Sequence, residues 1–203
     1  MASYRLYYYD VRGRAENIRL LFAQAGVKYE DIRFGKEEWT AKYKSEASFG
    51  RCPFLVVDGT TKISGSANII RYLGEKFGMA GKDEIGNALL GGTSDYLDDL
   101  IAHLTTLFFA SDEEKVKLAA EFKEKTVPQM FPVLQKHVKD GHFIGSNGKL
   151  SWLDIHAFNL INDISKRFCV NLADYPELKK LVDEVGSLPN IKKWIETRPK
   201  TDA

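Results

Sequence analysis

The feature of this chain that most restricts its fold is a change of rhythm near residue 80. Before it, short segments rich in β-favouring residues alternate with stretches of helical periodicity; after it, helix-like segments follow one another. Such a shift marks the junction of an α/β layer with an all-α one. Tyr4 to Tyr9 is a run of aromatic and aliphatic side chains suited to a pleated strand. Beyond Asp10-Val11-Arg12-Gly13, the apolar positions Ile18, Leu21, Phe22 and Ala25 recur at steps of three and four, and Gly26 supplies the stop. Ile32 and Phe34 then alternate with charged neighbours as a second strand, completing a βαβ unit. Asp58-Gly59 separates two further apolar runs, Phe54 to Val57 and Thr60 to Ile63. Both central residues of a two-residue hairpin turn need positive φ, which this dipeptide supplies. From Ser66, the residues Ile70, Leu73 and Phe77 return to helical spacing as far as Gly78. The first region is predicted as βαβ followed by ββα.

Lys82-Asp83 reads as a linker, so the expected domains are residues 1–80 and 81–203. The second contains predicted helices near 84–109, 112–139, 152–168, 177–186 and 190–197. Pro128 and Pro132 should break or bend the second of these, since neither carries the N–H of the helical ladder. Ser151-Trp152-Leu153-Asp154 has the pattern of a capping box with Asp in place of Glu or Gln, a folding signal at a helix start.

Composition removes whole classes of partner. The 203 residues carry 29 Lys+Arg against 28 Asp+Glu, a net charge of +1, so no field gathers a polyanion and nucleic acid is an unexpected partner. With 44% hydrophobic and 28% charged residues the chain resembles an ordinary soluble protein, without the apolar runs of a membrane span. The opening MASYRLYYYD lacks the pattern of a secretory signal, which makes the cytoplasm the expected compartment. Cys52 and Cys169 are too few for a disulfide scaffold, and neither they nor His103, His137, His142 and His156 have metal-ligand spacing. Asp95, Asp98 and Asp99 share one helix face at i, i+3 and i+4; a solvated acidic face is the favoured reading over a tight metal site.

Three places could carry chemistry. In Arg51-Cys52-Pro53-Phe54-Leu55 a proline enters a strand. If cis, it would turn the backbone of Cys52 outward to pair with an extended peptide-like ligand; spacing alone favours an ordinary trans proline. Ser66 opens a helix directly after a strand, where amides and hydroxyl suit a carboxylate, although a plain serine cap is commoner. Tyr8 lies among three tyrosines, and period-two alternation sends it to the face of Tyr4 and Leu6, opposite Tyr7 and Tyr9. Nothing local singles it out.

Together these features resemble the cytosolic glutathione transferases over essentially the whole chain. The opening Ser3-Tyr4-Arg5-Leu6-Tyr7-Tyr8-Tyr9-Asp10-Val11-Arg12-Gly13-Arg14-Ala15-Glu16 is similar to that of the sigma class, which includes a prostaglandin D synthase. Trp39, Phe49 to Pro53, Val57-Asp58-Gly59, Ser151 to Asp154, Trp194-Ile195 and Arg198-Pro199 add to the likeness. The resemblance implies a thioredoxin-like N-terminal domain, an all-α domain carrying most of the acceptor site, a homodimer, and glutathione as co-substrate. It implies Tyr8 as the catalytic tyrosine that hydrogen-bonds the glutathione sulfur, and Arg14 beside it. Trp39 and Lys44, with Lys42 as the rival alignment, would meet the glycine end. Cys52, flanked by Arg51 and Pro53, would pair the cysteinyl backbone. Gly65 and Ser66 would hold the γ-glutamyl end, and Asp98 would reach the ligand of the other subunit.

Two departures stand against that pattern. Gly65-Ser66 replaces the family's usual Gln-Ser, losing an amide whose hydrogen bond is worth about 0.5–1.5 kcal/mol, so glutathione binding should be weakened. Thr105 and Thr106 occupy the region where the prostaglandin synthase has a tryptophan, which argues against prostaglandin isomerisation; the acceptor pocket would draw on Phe108, Phe109 and Phe168, although aromatic stripes at helical spacing are more often core than substrate contact. The expected function is conjugation of glutathione to small hydrophobic electrophiles. The rivals are a crystallin-like structural or ligand-binding protein of the same fold, or a prostaglandin-type isomerase.

Overall fold

The computed structural model describes residues 2–201. The described chain forms two compact units, the first comprising the residues up to Gly78 together with those from Ser187 on, the second running from Met79 to Gly186.

In the first unit β1 (Tyr4–Tyr9), α1 (Glu16–Ala25), β2 (Glu30–Phe34), β3 (Phe54–Val57), β4 (Thr61–Ser64) and α3 (Ser66–Lys76) follow the predicted βαβ–ββα order. A short α2 (Lys36–Glu38) continues as a π-helical turn, Trp39–Tyr43, before β3. The sheet runs β2-β1-β3-β4, with β1 parallel to β2 and antiparallel to β3, the thioredoxin-like arrangement. Asp58 and Gly59 have the expected positive φ, 51° and 74°, but Val57 pairs with Thr61, so the connection is three residues, Asp58 to Thr60, rather than the expected two-residue turn; Gly26 ends α1 at φ 66°. Alternation along β1 divides the core. Tyr7 and Tyr9 join Phe34, Trp39, Tyr43 and Phe54 on one face of the sheet. Tyr4, on the other, packs its ring 5.4 Å from Phe22 of α1 and 5.9 Å from Phe77.

The last helix, α9 (Pro189–Thr197), belongs by its packing to this unit although the sequence places it after all the other helices. The Trp194 indole N–H and the Arg198 guanidinium both donate to Glu16, at 2.8 and 2.9 Å, so the chain's end is fastened to the start of α1.

The second unit holds α4 (Glu84–Phe109), α5 (Asp112–Glu121), α6 (Val127–Gln135), α7 (Trp152–Arg167) and α8 (Pro176–Ser187). The predicted single stretch 112–139 is divided. Pro128 sits in the first turn of α6, immediately after a π-helical turn at Phe122–Thr126, as suits a residue without an N–H for the ladder, whereas Pro132 lies inside α6. Past α6 the chain leaves the helix for a minimal hairpin, β5 (Val138–Lys139) and β6 (His142–Phe143), turned at Asp140-Gly141 with φ 52° and 80°. Ser151 and Asp154 form the predicted capping box. No helix among the described residues is long and apolar enough to cross a membrane.

Candidate active site

Strand register brings three of the expected residues to one end of the sheet. Tyr7 of β1 faces Phe54 of β3, which faces Ser64 of β4. One residue further in the same direction lie Tyr8, Pro53 and Gly65, the last donating its N–H to the Pro53 carbonyl at 3.1 Å. Three segments far apart in sequence are thereby brought together.

The Cys52–Pro53 bond is cis, so the trans proline favoured by spacing alone is corrected. The β1–β3 and β3–β4 pairings begin at Phe54, leaving Arg51 and Cys52 before the ladder, with Arg51 exposed. Cys52 packs partly against the aromatic cluster of Tyr7, Trp39 and Phe54. Burial pushes its thiol up to about 11, so the side chain remains protonated at neutral pH and is poorly suited to redox chemistry.

Ser66 is buried at the first turn of α3, but the cap itself is Gly65, at φ 89° and ψ 130°; its carbonyl receives the first helical bond, from Ile69, at 3.0 Å. Ser66 is therefore not the N-cap that the simpler reading made it. It is the first residue inside the helix, where backbone amides face outward along the positive end of the dipole.

Tyr8 is half-buried, and its hydroxyl oxygen accepts a hydrogen bond from the Arg14 backbone N–H at 3.2 Å. Burial raises the phenol above its ordinary value, with the Arg14 hydrogen bond working in the opposite direction. The phenol is thus protonated at neutral pH, one lone pair engaged by Arg14 and its own hydrogen available to donate.

Trp39 is 8% exposed and stacked on Phe34 at 5.4 Å, so most of its ring serves the core. Lys42 donates to the Tyr43 hydroxyl at 3.1 Å. Lys44 instead extends beside Gly50, on the segment that leads into Arg51 and Cys52.

Comparison with known proteins agrees with this architecture. The family model for the glutathione S-transferase N-terminal domain matches residues 4–75, and that for the C-terminal domain matches residues 98–198. The chain belongs to the glutathione S-transferase family. It is 38% identical to glutathione S-transferase 1 of Ascaris suum and 36% identical to hematopoietic prostaglandin D synthase of Gallus gallus, in both cases over 99% of each chain. The solved structure of Na-GST-3 from the hookworm Necator americanus, described as monomeric, superimposes with a TM-score of 0.90 at 34% identity, covering 99% of this chain and 100% of that one.

In the second unit of this transferase Asp98 on α4 is partly buried, and Asp95 and Asp99 are exposed. Among the described residues no three His, Cys, Asp or Glu side chains are grouped to hold a metal ion. An open groove of about 430 Å³ lies where α4 gives way to α5, lined by Thr105, Thr106, Phe109, Ala110, Glu114 and Leu118. Phe108 and Phe109 are exposed there, but the expected contact Phe168 is 7% exposed and packs on Phe122 at 4.7 Å, in the helical core.

Two residues around Tyr8 carry no functional signal of their own in the sequence. Gly13 lies against the Tyr8 ring, and Arg19 is fully buried beneath the loop that carries it. The available signal was a glycine between a strand and a helix, where backbone approach is close.

Proposed function

We propose that the protein activates the glutathione thiol as a thiolate and transfers it to small hydrophobic electrophiles. The observation that carries this reading is the placement of Tyr8: its hydroxyl accepts from the Arg14 N–H at 3.2 Å, at the sheet end where Pro53 is the neighbour on β3's approach. A free thiol, with a pKa of about 8.5, is mostly protonated at neutral pH, and the thiolate is the nucleophile. The Tyr8 hydroxyl donates to that sulfur and stabilises its charged form; lowering the thiol pKa by two units corresponds to about 2.7 kcal/mol. The thiol proton passes to solvent, the sulfur lone pair forms the new bond to the electrophilic carbon, and the leaving group departs with the electrons of its own bond. Arg14 adds positive charge beside the developing thiolate.

The rest of the tripeptide follows the sheet edge. Cys52 pairs its cysteinyl backbone, with Arg51 and Pro53 on either side. Gly65 and Ser66 at the start of α3 take the γ-glutamyl carboxylate, and Lys44 with Trp39 receives the glycine end. Lys44 is preferred to Lys42 because Lys42 is occupied by Tyr43. The apolar acceptor is assigned to the groove at Thr105 and Phe109. We assign the protein to a sigma-like homodimer of the cytoplasm, with Asp98 reaching the ligand of the other subunit; sedimentation as a monomer at micromolar concentration would remove Asp98 from the site.

Conjugation of chlorodinitrobenzene tests the central assignment. Tyr8→Phe should lower turnover about 100-fold, the scale for removing one well-placed donor to a developing anion. Wild-type rates in Tyr8→Phe would overturn the role given to Tyr8, and a wild type with no turnover would favour a structural or ligand-carrying protein.

A further inference from the structure

We infer that Gly13 is a positioning residue for the Tyr8 hydroxyl: its bare α-carbon is the wall against which the phenol rests, and it decides where the hydroxyl points. This rests on the assignment of Tyr8 above. After β1 the chain folds back on itself, Val11 donating to the Tyr9 carbonyl at 2.8 Å, and Gly13 opens a single 3₁₀ turn at φ 39°. A methyl group on Gly13 would lie 2.8 Å from the Tyr8 hydroxyl oxygen, 2.9 Å from Cε1 and 3.2 Å from Cζ. Carbon does not approach so closely, so either the loop or the ring must move.

The loop is the part held fast. Arg19, fully buried, donates through Nη1 to the carbonyls of Val11 at 2.8 Å and Arg12 at 3.3 Å, and the same guanidinium is paired with Glu16 at 3.3 Å and Asp31 at 3.1 Å. Withdrawing the loop would strip hydrogen bonds from a buried charge, which is costly. The Tyr8 ring, half-buried and edge-on to Tyr9 at 5.8 Å, is the freer partner. A side chain at residue 13 therefore displaces the phenol, pulls its oxygen from the Arg14 N–H, and misdirects the one hydrogen that would meet the sulfur. Gly13 and Arg19 act as the two sides of one seat, the first by having no side chain and the second by fixing the backbone.

The test is a cycle of Gly13→Ala, Tyr8→Phe and the double variant, with chlorodinitrobenzene turnover as a function of pH. Gly13→Ala should lower kcat at least about tenfold while KM for glutathione changes less than about threefold, and should move the acid limb of the profile up toward the free thiol. In the Tyr8→Phe background Gly13→Ala should cost nothing further. A wild-type pH profile in Gly13→Ala, or full additivity in the double variant, overturns the proposal. If Tyr8→Phe itself is unimpaired, the Tyr8 assignment fails first, and the two failures are distinct. Should Gly13→Ala not fold, Tyr8→Leu/Gly13→Ala removes the colliding atoms and should fold; if it does not, the collision is not the constraint and the proposal falls.

Discussion

The indole N–H of Trp194 donates to Glu16 Oε1 at 2.8 Å, joining residues 178 positions apart. Glu16 is 1% exposed and also accepts from Arg198 at 2.9 Å and Arg19 at 3.3 Å, so a buried carboxylate serves three donors. Removing it leaves two guanidinium groups and an indole without their acceptor. Glu16→Ala should lose about 3–5 kcal/mol of stability in urea unfolding, and Trp194→Phe about 1 kcal/mol, since only one hydrogen bond is lost. An unchanged urea midpoint in Trp194→Phe would show that the indole hydrogen bond contributes nothing to holding α9.

Asp154 is a second fully buried carboxylate. It accepts from the Ser151 N–H at 2.7 Å, the Ser151 hydroxyl at 2.9 Å and the Phe143 N–H at 2.9 Å, capping α7 and fastening β6 with one side chain. Asp154→Ala should cost about 3 kcal/mol, more than an ordinary capping residue, because the Phe143 amide is left buried and unpaired. Asp154→Asn keeps one acceptor oxygen but sets an amide donor against the donors that the other oxygen served, so it should recover only part of the loss in chemical denaturation. Full recovery of wild-type stability by Asp154→Asn would show that the second acceptor oxygen contributes nothing.

These two carboxylates show what the sequence made legible. The Ser151–Asp154 box and the Asp58-Gly59 reversal are local, their partners lying within a few residues; the box is legible as it stands, and the reversal is legible in place but one residue longer than the two-residue turn expected. Asp140-Gly141 carried the same turn signal, but the flanking strands are two residues each, too short for periodicity to show against the surrounding helices. Trp194 and Arg198 were visible as family-like residues, yet their tie to Glu16 depends on where a helix 178 positions away comes to rest, which no local pattern encodes. The same limit governed the site. Tyr8, Pro53 and Gly65 could be named, but their common position follows from register across three strands. Gly13 and Arg19 escaped because one acts by lacking a side chain and the other from beneath a loop.

His142 makes the same hairpin pH-sensitive. Its Nδ1 lies 3.3 Å from Asp154 Oδ2 and its Nε2 3.9 Å from Glu184 of α8, and its pKa is raised chiefly by the hydrogen bond to Asp154, against burial and Lys180. A cation preferred in the folded state stabilises fully below the unfolded value of about 6.5 and loses that contribution as pH rises through the higher folded value. The gap in melting temperature between wild type and His142→Gln should therefore be larger at about pH 5.5 than at about pH 8. A gap that is constant, or grows with pH, would contradict this sign.

With Gly65 at the γ-glutamyl end as proposed, affinity and stability are set against each other at this residue. Its φ of 89° and ψ of 130° lie in a region almost reserved for glycine, and a side chain there costs about 1–3 kcal/mol. Space itself is available, because a Cβ would meet only the Asn68 amide nitrogen at 3.7 Å. Gly65→Gln should consequently fold but melt lower. The restored amide should gain up to about 1 kcal/mol toward the γ-glutamyl group, roughly fivefold in Kd. Calorimetric titration with glutathione and thermal unfolding of the ligand-free protein are expected to move in opposite directions. Unchanged or weaker binding would mean that the glycine is not the cause of any deficit at this end of the site. An unchanged melting temperature would mean that the backbone relaxes out of its left-handed geometry at no cost.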